Sequence, residues 1–433
     1  MTRFPRSGIP RHWLAVAYWR RKTIFLLGAA LIGIAAIGFA LGADEAQHAF
    51  AWLRDTYPLA AFIVTCLGFV VAAVTTAHWF PAARGSGIPQ VIAARRYEDP
   101  IIRGGLIGGG VTLWKVLLTL FALLCGASVG REGPTVQLGA CIMFLLGTRL
   151  GLRKPQGLVL AGAAAGIAAA FNTPLAGIMF AIEEMAKNYE KRISGLIIAA
   201  VVIAGAVSIA FLGNYKYFGS NPIEIGFSRA MIFATVCSVI AGLGGSLFSF
   251  LLLAAGRLYR RLSAGANWMP YAFPAACGLA VAIASLLTHG YANGTGYEQA
   301  KLALESGQTM PLWYGPLKLL ATLASSASGL PGGLFSPSLS VGTGLGSLIA
   351  AALAHIPALG GLSPDDLRAI MLLAMAAYFA AVVQSPLTAF VIVNEMTVSN
   401  ALLVPLLTAT FLAAGISAML TREPLYHALS RQF

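Results

Sequence analysis

The feature that most constrains this chain is a set of apolar stretches that glycine and proline interrupt before a membrane span is complete. They lie at 101–124, 134–148, 157–182, 314–328 and 338–354. They are too apolar for surface loops and too broken for simple spans, since a spanning helix needs about 20 apolar residues. Irregular backbone at membrane depth persists only where protein buries it or where it lines a cavity. The breaks therefore read as half-helices and re-entrant segments gathered around a transport site.

Around them lie longer apolar runs, at roughly 23–42, 58–80, 194–212, 229–255, 270–288, 368–393 and 400–420. Hydrophobic residues make up 58% of the 433 and charged residues only 10%. A soluble domain carries about 25% charged residues, so this chain could not cover its own surface in water. The run at 23–42 exceeds the roughly 7–15 apolar residues of a signal peptide and reads as the first membrane helix.

The formal net charge is +13. A nucleic-acid surface would cluster basic residues with stacking aromatics on a solvated face, whereas here the basic residues sit at helix ends. Arg3, Arg6, Arg11, Arg20, Arg21 and Lys22 occupy the first 22 residues with no acid among them. This pattern puts the N-terminus in the cytoplasm. Arg149, Arg153 and Lys154, then Arg257, Arg260 and Arg261, form further basic loops. Cys66, Cys125, Cys141, Cys237 and Cys277 all lie in apolar stretches, without a C-x-x-C pair. They read as small buried hydrophobes, and neither a disulfide framework, a metal site nor a cofactor is expected.

The sequence also repeats itself. CGASVGREGPTVQLGA at 125–140 matches SGLPGGLFSPSLSVGT at 328–343, with Gly126, Gly130, Pro134 and Gly139 on Gly329, Gly333, Pro337 and Gly342. Downstream, AAAGIAAAFNTPLAG at 163–177 matches MAAYFAAVVQSPLTA at 375–389; Pro174 then meets Pro386, and Glu183 meets Glu395. Two matches in the same order argue for a duplicated membrane unit, an arrangement that often holds its substrate between the copies.

Three glycine-framed pentapeptides carry the chemistry: Gly85-Ser86-Gly87-Ile88-Pro89, Gly130-Arg131-Glu132-Gly133-Pro134 and Gly333-Leu334-Phe335-Ser336-Pro337. Proline suits the first helical turn, where its missing N–H is no loss. The glycine before it permits a sharp turn that leaves N–H groups uncovered. A helix N-terminus offers such groups together with about half a positive charge. Three aimed at one point would hold an anion without a full counter-charge, weakly enough for release. A lone pentapeptide would be no more than a re-entrant turn; three, with the repeat, point to an anion site.

GSGIP, GREGP and GLFSP resemble the three signature segments of the CLC family of chloride channels and transporters. The resemblance extends to FNTPLAGIMFAIEEM at 171–185 and EPLYHAL at 423–429 and covers nearly the whole chain. It implies an all-α polytopic membrane protein with two inverted repeats of broken and re-entrant helices, one pore per subunit and a homodimer. Ser86 and Tyr426 would give hydroxyls to a central chloride, which the N–H groups of Leu334 and Phe335 complete; Gly87 and Ile88 belong to the same site. Glu132 would be the gating glutamate, blocking the outer path when ionised and swinging away when protonated. Glu184, the second acid of the Glu183-Glu184 pair, would be the internal proton residue, which channels of the family usually lack. Gly85, Pro89, Gly130, Arg131, Gly133, Pro134, Gly333 and Pro337 support the site.

The expected function is therefore proton-coupled chloride antiport, with a passive voltage- or pH-gated chloride channel as the alternative. Serine at 86 favours chloride over nitrate, and GREGP argues against the fluoride-exporting branch. The expected setting is a bacterial inner membrane with both termini cytoplasmic, and the expected partners are chloride, protons, lipid and a second copy, not nucleic acid. The expected division is a basic segment 1–22, a first repeat 23–212, a linker 213–228, a second repeat 229–420 and a short segment 421–433 carrying Tyr426. CBS-type domains do not follow Phe433, so nucleotide regulation through them is not expected.

Residue by residue, other readings remain. Glu183 and Glu184 would otherwise be a solvated helix end beside Lys187 and Glu190, and Glu132 an ion-pair partner of Arg131. Gly126-Ala127-Ser128-Val129-Gly130 fits a hydrolase nucleophile elbow but lacks the strand–turn–helix context. Gly342, Gly344 and Gly346 lack the strand and acid of a dinucleotide site and read as helix-packing glycines. Asn293-Gly294-Thr295 is a glycosylation pattern of low specificity. Lys115 lies in a buried-looking segment; some relatives place a facing carboxylate where this chain has Ile92, which leaves the neutralising partner of Lys115 open.

Overall fold

The structure, a computed structural model, describes residues 16–151, 156–185, 191–213, 217–219, 222–263, 265–397 and 400–433. Most of the basic segment 1–22, Arg153, Lys154, Lys187, Glu190 and part of the 213–228 linker lie outside the described residues or their described side chains. Among the described residues the secondary structure is helical. In chain order the helices are α1 (Val16–Thr56), α2 (Pro58–Trp79), α3 (Ile88–Arg96), α4 (Pro100–Ile107), α5 (Gly109–Leu124), α6 (Glu132–Arg149), α7 (Gln156–Phe171), α8 (Pro174–Phe180) and α9 (Lys191–Leu212). They continue as α10 (Phe227–Ser263), α11 (Met269–Leu287), α12 (Tyr297–Ser306), α13 (Tyr314–Ala327), α14 (Phe335–Leu353), α15 (Pro364–Val383), α16 (Pro386–Met396), α17 (Leu403–Leu420) and α18 (Leu425–Ser430).

Two of the five interrupted stretches break where glycine and proline stand, whereas those at 134–148, 314–328 and 338–354 run as the single helices α6, α13 and α14, because their glycines serve packing and their prolines sit in the first turn. The 101–124 stretch divides at Gly108 into α4 and α5, and the 157–182 stretch divides before Pro174 into α7 and α8. The run at 368–393, read from sequence as one uninterrupted segment, also divides, into α15 and α16. Pro386 is the cause: it cannot continue a helix and pushes the residue before it out of helical geometry. Asn172 and Gln384, at matching positions of the repeat, both turn left-handed to end the helix, at φ 55° and 57°. Such a left-handed residue satisfies the orphan carbonyls of the last turn.

Among the described residues, eight segments are long and apolar enough to cross a membrane, including Pro58–Trp79, Met269–Leu287 and Leu403–Leu420. In those three, 39% of the apolar window is buried, against 83% in α14 and 89% in α15. The last two thus lie in the protein core, and the other three are buried to less than half. Small residues allow the central helices to touch backbone to backbone, as membrane packing requires. A Cβ at Gly342 or Gly346 would lie 2.6 Å from the Cα of Met375 or Met371 on α15, and one at Gly344 2.6 Å from the Cα of Gly315 on α13. The GTGLG glycines are packing glycines. In the first copy, Gly139 of α6 meets the carbonyl of Gly162 on α7 in the same way.

The two copies meet on a local two-fold relation. Gly130 N–H donates to Gly333 O at 2.8 Å and Gly333 N–H donates to Gly130 O at 2.6 Å, an antiparallel pair between equivalent residues. A reciprocal antiparallel bond pair requires the two strands of chain to run in opposite directions. Equivalent residues of the two copies thus run in opposite directions where they meet, as an inverted repeat requires. The five cysteines are free, and all but Cys66 are buried.

Candidate anion and proton site

Backbone hydrogen bonds tie the three pentapeptides together. Besides the Gly130–Gly333 pair, Gly85 N–H donates to Leu330 O at 3.3 Å and Gly332 N–H to Gly85 O at 3.2 Å. The turns before α3, α6 and α14 therefore meet at one place, and their helices start from it. Gly87, at φ 104°, makes the turn into α3 that a residue with a Cβ would strain to make. The approach is so close that a Cβ on Gly133 would collide with the Ser86 hydroxyl and stand 3.2 Å from Gly333 Cα. Pro89, Pro134 and Pro337 each sit in the first turn, where an N–H has no intrahelical acceptor.

Glu132 is fully buried and opens α6, yet its carboxylate serves α14. It accepts the Ser336 hydroxyl, and the Ser336 N–H points to it at 3.4 Å. A buried anion is costly unless hydrogen-bonded, and a helix N-terminus supplies donors and positive potential. The Glu132 carboxylate thus sits where the first turn of α14 would receive an anion. It is not paired with Arg131. That guanidinium turns away to Asp44, at 2.8 Å, and to Ala40 O, at 2.8 Å.

Ser86 and Tyr426 lie at the same crossing, Ser86 against Gly133 and Tyr426 against Phe335. Both hydroxyls are buried, and apart from each other neither has a hydrogen-bond partner among the described residues. Buried hydroxyls are nearly always bonded, so these two beside three helix N-termini are candidates to donate to a ligand with acceptor character. Tyr426 is held by the ring of Phe335, 5.9 Å away. Phe335 packs in turn against Phe379 at 4.8 Å and against Phe171 and Phe180 at 6.0 Å. Leu334 caps α14 and Ile88 begins α3; both are buried, and with Gly87 and Phe335 they carry the first-turn N–H groups of the two helices. A cavity of about 60 Å³ reaches this point, lined by Ser86, Pro89, Gly332 and Leu334. A hydroxyl donor beside backbone N–H groups complements chloride without a fixed counter-charge.

Glu184 is not a solvated helix end. It lies in a π turn after α8, is 2% exposed, and accepts the Ser385 hydroxyl at 2.5 Å. Its backbone carbonyl contacts His427 Nε2 at 3.2 Å, which links it to the residue after Tyr426. Its other oxygen is buried without a partner among the described residues. Its neighbour Glu183 caps α16 instead.

Lys115 also finds its partners here, and they are carbonyls. Nζ donates to Gly85 O at 3.0 Å and Arg84 O at 3.4 Å, the back of the turn whose front faces the site. Lys318 stands at the matching position of the repeat and donates to Ala292, Asn293 and Gly294 carbonyls at 2.8–3.0 Å. Gly294-Thr295-Gly296, opening α12, is thus the second-copy counterpart of Gly85-Ser86-Gly87. Asn293 itself is engaged, donating to Gly126 O at 2.8 Å and accepting from Ser285 at 2.5 Å.

Sequence reasoning did not single out Ser336, Ser385, Asp44 or Lys318. Ser336 was within a motif already noted and Ser385 stood beside a repeated proline. Asp44 is 87 residues from Arg131, and no local pattern announces such a pair.

The fold and site define a multi-pass membrane protein in which broken helices aim their N-termini at one buried point. Residues 68–418 match the voltage gated chloride channel family, and the chain belongs to that family, the CLC proteins. It is 32% identical over 446 residues to the H(+)/Cl(-) exchange transporter ClcA of Yersinia pseudotuberculosis serotype IB (strain PB1/+), covering 95% of this chain and 88% of that protein. It is 30% identical over 423 residues to the ClcA of Klebsiella pneumoniae (strain 342), covering 92% and 86%. Its fold is that of a slow cyanobacterial Cl-/H+ antiporter (TM-score 0.81, 22% identity, 95% and 97% covered). A CLC-type fluoride/proton antiporter shares it at TM-score 0.77 and 22% identity, with 95% and 98% covered.

Proposed function

We propose that this protein exchanges chloride for protons across the bacterial inner membrane, as a homodimer with both termini cytoplasmic. The observation that carries the reading is the seat of Glu132, a carboxylate bonded to the hydroxyl of Ser336 in the first turn of α14. Whatever anion displaces it would meet the same donors. Chloride at the inner position would be held by the Ser86 and Tyr426 hydroxyls with the N–H groups of Leu334 and Phe335. Protonation removes the charge that keeps Glu132 at α14, so the side chain leaves and chloride advances. One residue thereby alternates between blocking the anion path and carrying a proton.

Glu184 supplies the proton from the cytoplasmic side. Its burial and its bond to Ser385 support exchange over passive conduction, because a channel needs no buried acid away from the anion path. The named relatives at about a third identity are H(+)/Cl(-) exchange transporters, which agrees with this reading. Ser86 and GREGP support chloride over nitrate and fluoride. The test is purified protein in liposomes under a chloride gradient, with external pH recorded. Chloride movement should drive protons uphill in the opposite direction; chloride flux without proton movement would leave a passive channel.

A further inference from the structure

A second cavity shares Arg84 with the one at Ser86. It holds about 800 Å³ and opens beside α18, lined by Arg84, Arg257, Arg260, Arg422 and Arg431 with one acid, Glu423. These arginines come from four separate parts of the chain: the turn before α3, the end of α10, the link between α17 and α18, and the end of α18. Glu423 neutralises Arg431, at 2.8 Å. The guanidinium groups of Arg84, Arg257, Arg260 and Arg422 have no hydrogen bond or ion pair to another residue among those described. Arg84 is half-buried, with its guanidinium 5.5 Å from the ring of Tyr259.

Membrane topology accounts for basic residues at helix ends, because that rule counts charges near the bilayer. It does not account for four segments converging on one concavity. Unpaired like charges repel, and a site that gathers them loses folding stability unless an anion joins them. A single chloride cannot neutralise so many guanidinium groups. A cluster of phosphates can, because the planar guanidinium fork matches phosphate oxygens two at a time.

We infer that this cavity is a binding site for a polyvalent phosphate anion, and that its occupancy closes the inner mouth of the pore. Arg84 makes the connection. Arg84 lines both this cavity and the 60 Å³ cavity at Ser86. Its carbonyl receives Lys115 Nζ and Gln90 Nε2, which pins the residue directly before the GSGIP turn. An anion held by Arg84, Arg257 and Arg260 stands over the route to Ser86. The blocking effect rests on the proposed chloride transport, whereas the binding does not.

Tripolyphosphate is the probe. Titrated calorimetrically into the detergent-solubilised protein, it should bind, and Arg257→Gln with Arg260→Gln should weaken that binding roughly tenfold or more. In phosphatidylcholine liposomes it should slow chloride efflux, with the same shift in the double variant, each protein compared with its own uninhibited rate. A lipid headgroup as the source would show instead as slower efflux when cardiolipin is included, again relieved in the double variant. Either pattern supports the site. Absence of binding, or binding unchanged in the double variant, overturns it, as does a double variant whose only defect is a slower flux insensitive to both phosphates. Arginine-dependent binding by a protein that moves no chloride would keep the site and sink the transport reading.

Discussion

Glu183 and Glu395 exchange helix caps across the two-fold relation of the fold. Glu183 accepts from the N–H groups of Leu387 and Thr388 at 3.1 and 2.6 Å, at the start of α16. Glu395 accepts from those of Leu175 and Ala176 at 3.1 and 2.9 Å, at the start of α8. The two acids, and the two pairs of donors, occupy matching positions in the repeat. Each copy thus closes the exposed end of a half-helix in the other and fixes the π turn that carries Glu184.

Glu183→Gln and Glu395→Gln should each lower stability by about 1–2 kcal/mol, the worth of a half-exposed carboxylate at a helix N-terminus. The two losses should be similar because the two geometries are. Thermal unfolding in detergent would check this. An unchanged melting temperature in either variant would mean that the cap is incidental.

Glu184→Gln removes the ionisable group from a fully enclosed position while keeping an acceptor for Ser385. Chloride flux should continue and proton movement should stop. The liposome assay with simultaneous chloride and pH recording would detect it. Proton movement that survived would place the internal proton path elsewhere.

The two buried lysines predict an asymmetry. The carbonyls held by Lys115 have second donors, Gln90 Nε2 on Arg84 O and Gly332 N–H on Gly85 O. The three carbonyls held by Lys318 have none described. A buried carbonyl left unbonded costs about 1–3 kcal/mol. Lys318→Met should therefore destabilise by about 3 kcal/mol or more, and Lys115→Met by about 1 kcal/mol. Melting temperatures of the two variants would decide, and equal losses would contradict the assignment of partners.

The fold was legible in the sequence to the extent that glycine and proline write themselves into it. That the 101–124 and 157–182 stretches are broken, the three pentapeptides and the duplication could all be read, while α6, α13 and α14 prove continuous where breaks were expected. The break at Gln384 was overlooked because the run around it is uniformly apolar, although Pro386 matches Pro174. Gly294-Thr295-Gly296 hid for a different reason. Glu298 stands where the first copy has Pro89, and the spacing from this turn to the buried lysine differs between the copies. At the site, the backbone-directed residues were readable and their side-chain partners were not. Ser336 and Ser385 are ordinary serines until folding brings Glu132 and Glu184 to them.

The central claim is that the Glu132 carboxylate stands where a transported anion would stand. A crystal structure of Glu132→Gln grown in bromide tests it most directly, because bromide scatters anomalously. The account predicts an anomalous peak within hydrogen-bond distance of the Ser336 hydroxyl and N–H, with the glutamine side chain displaced. A peak absent from that position, with the glutamine seated as the glutamate was, would contradict it.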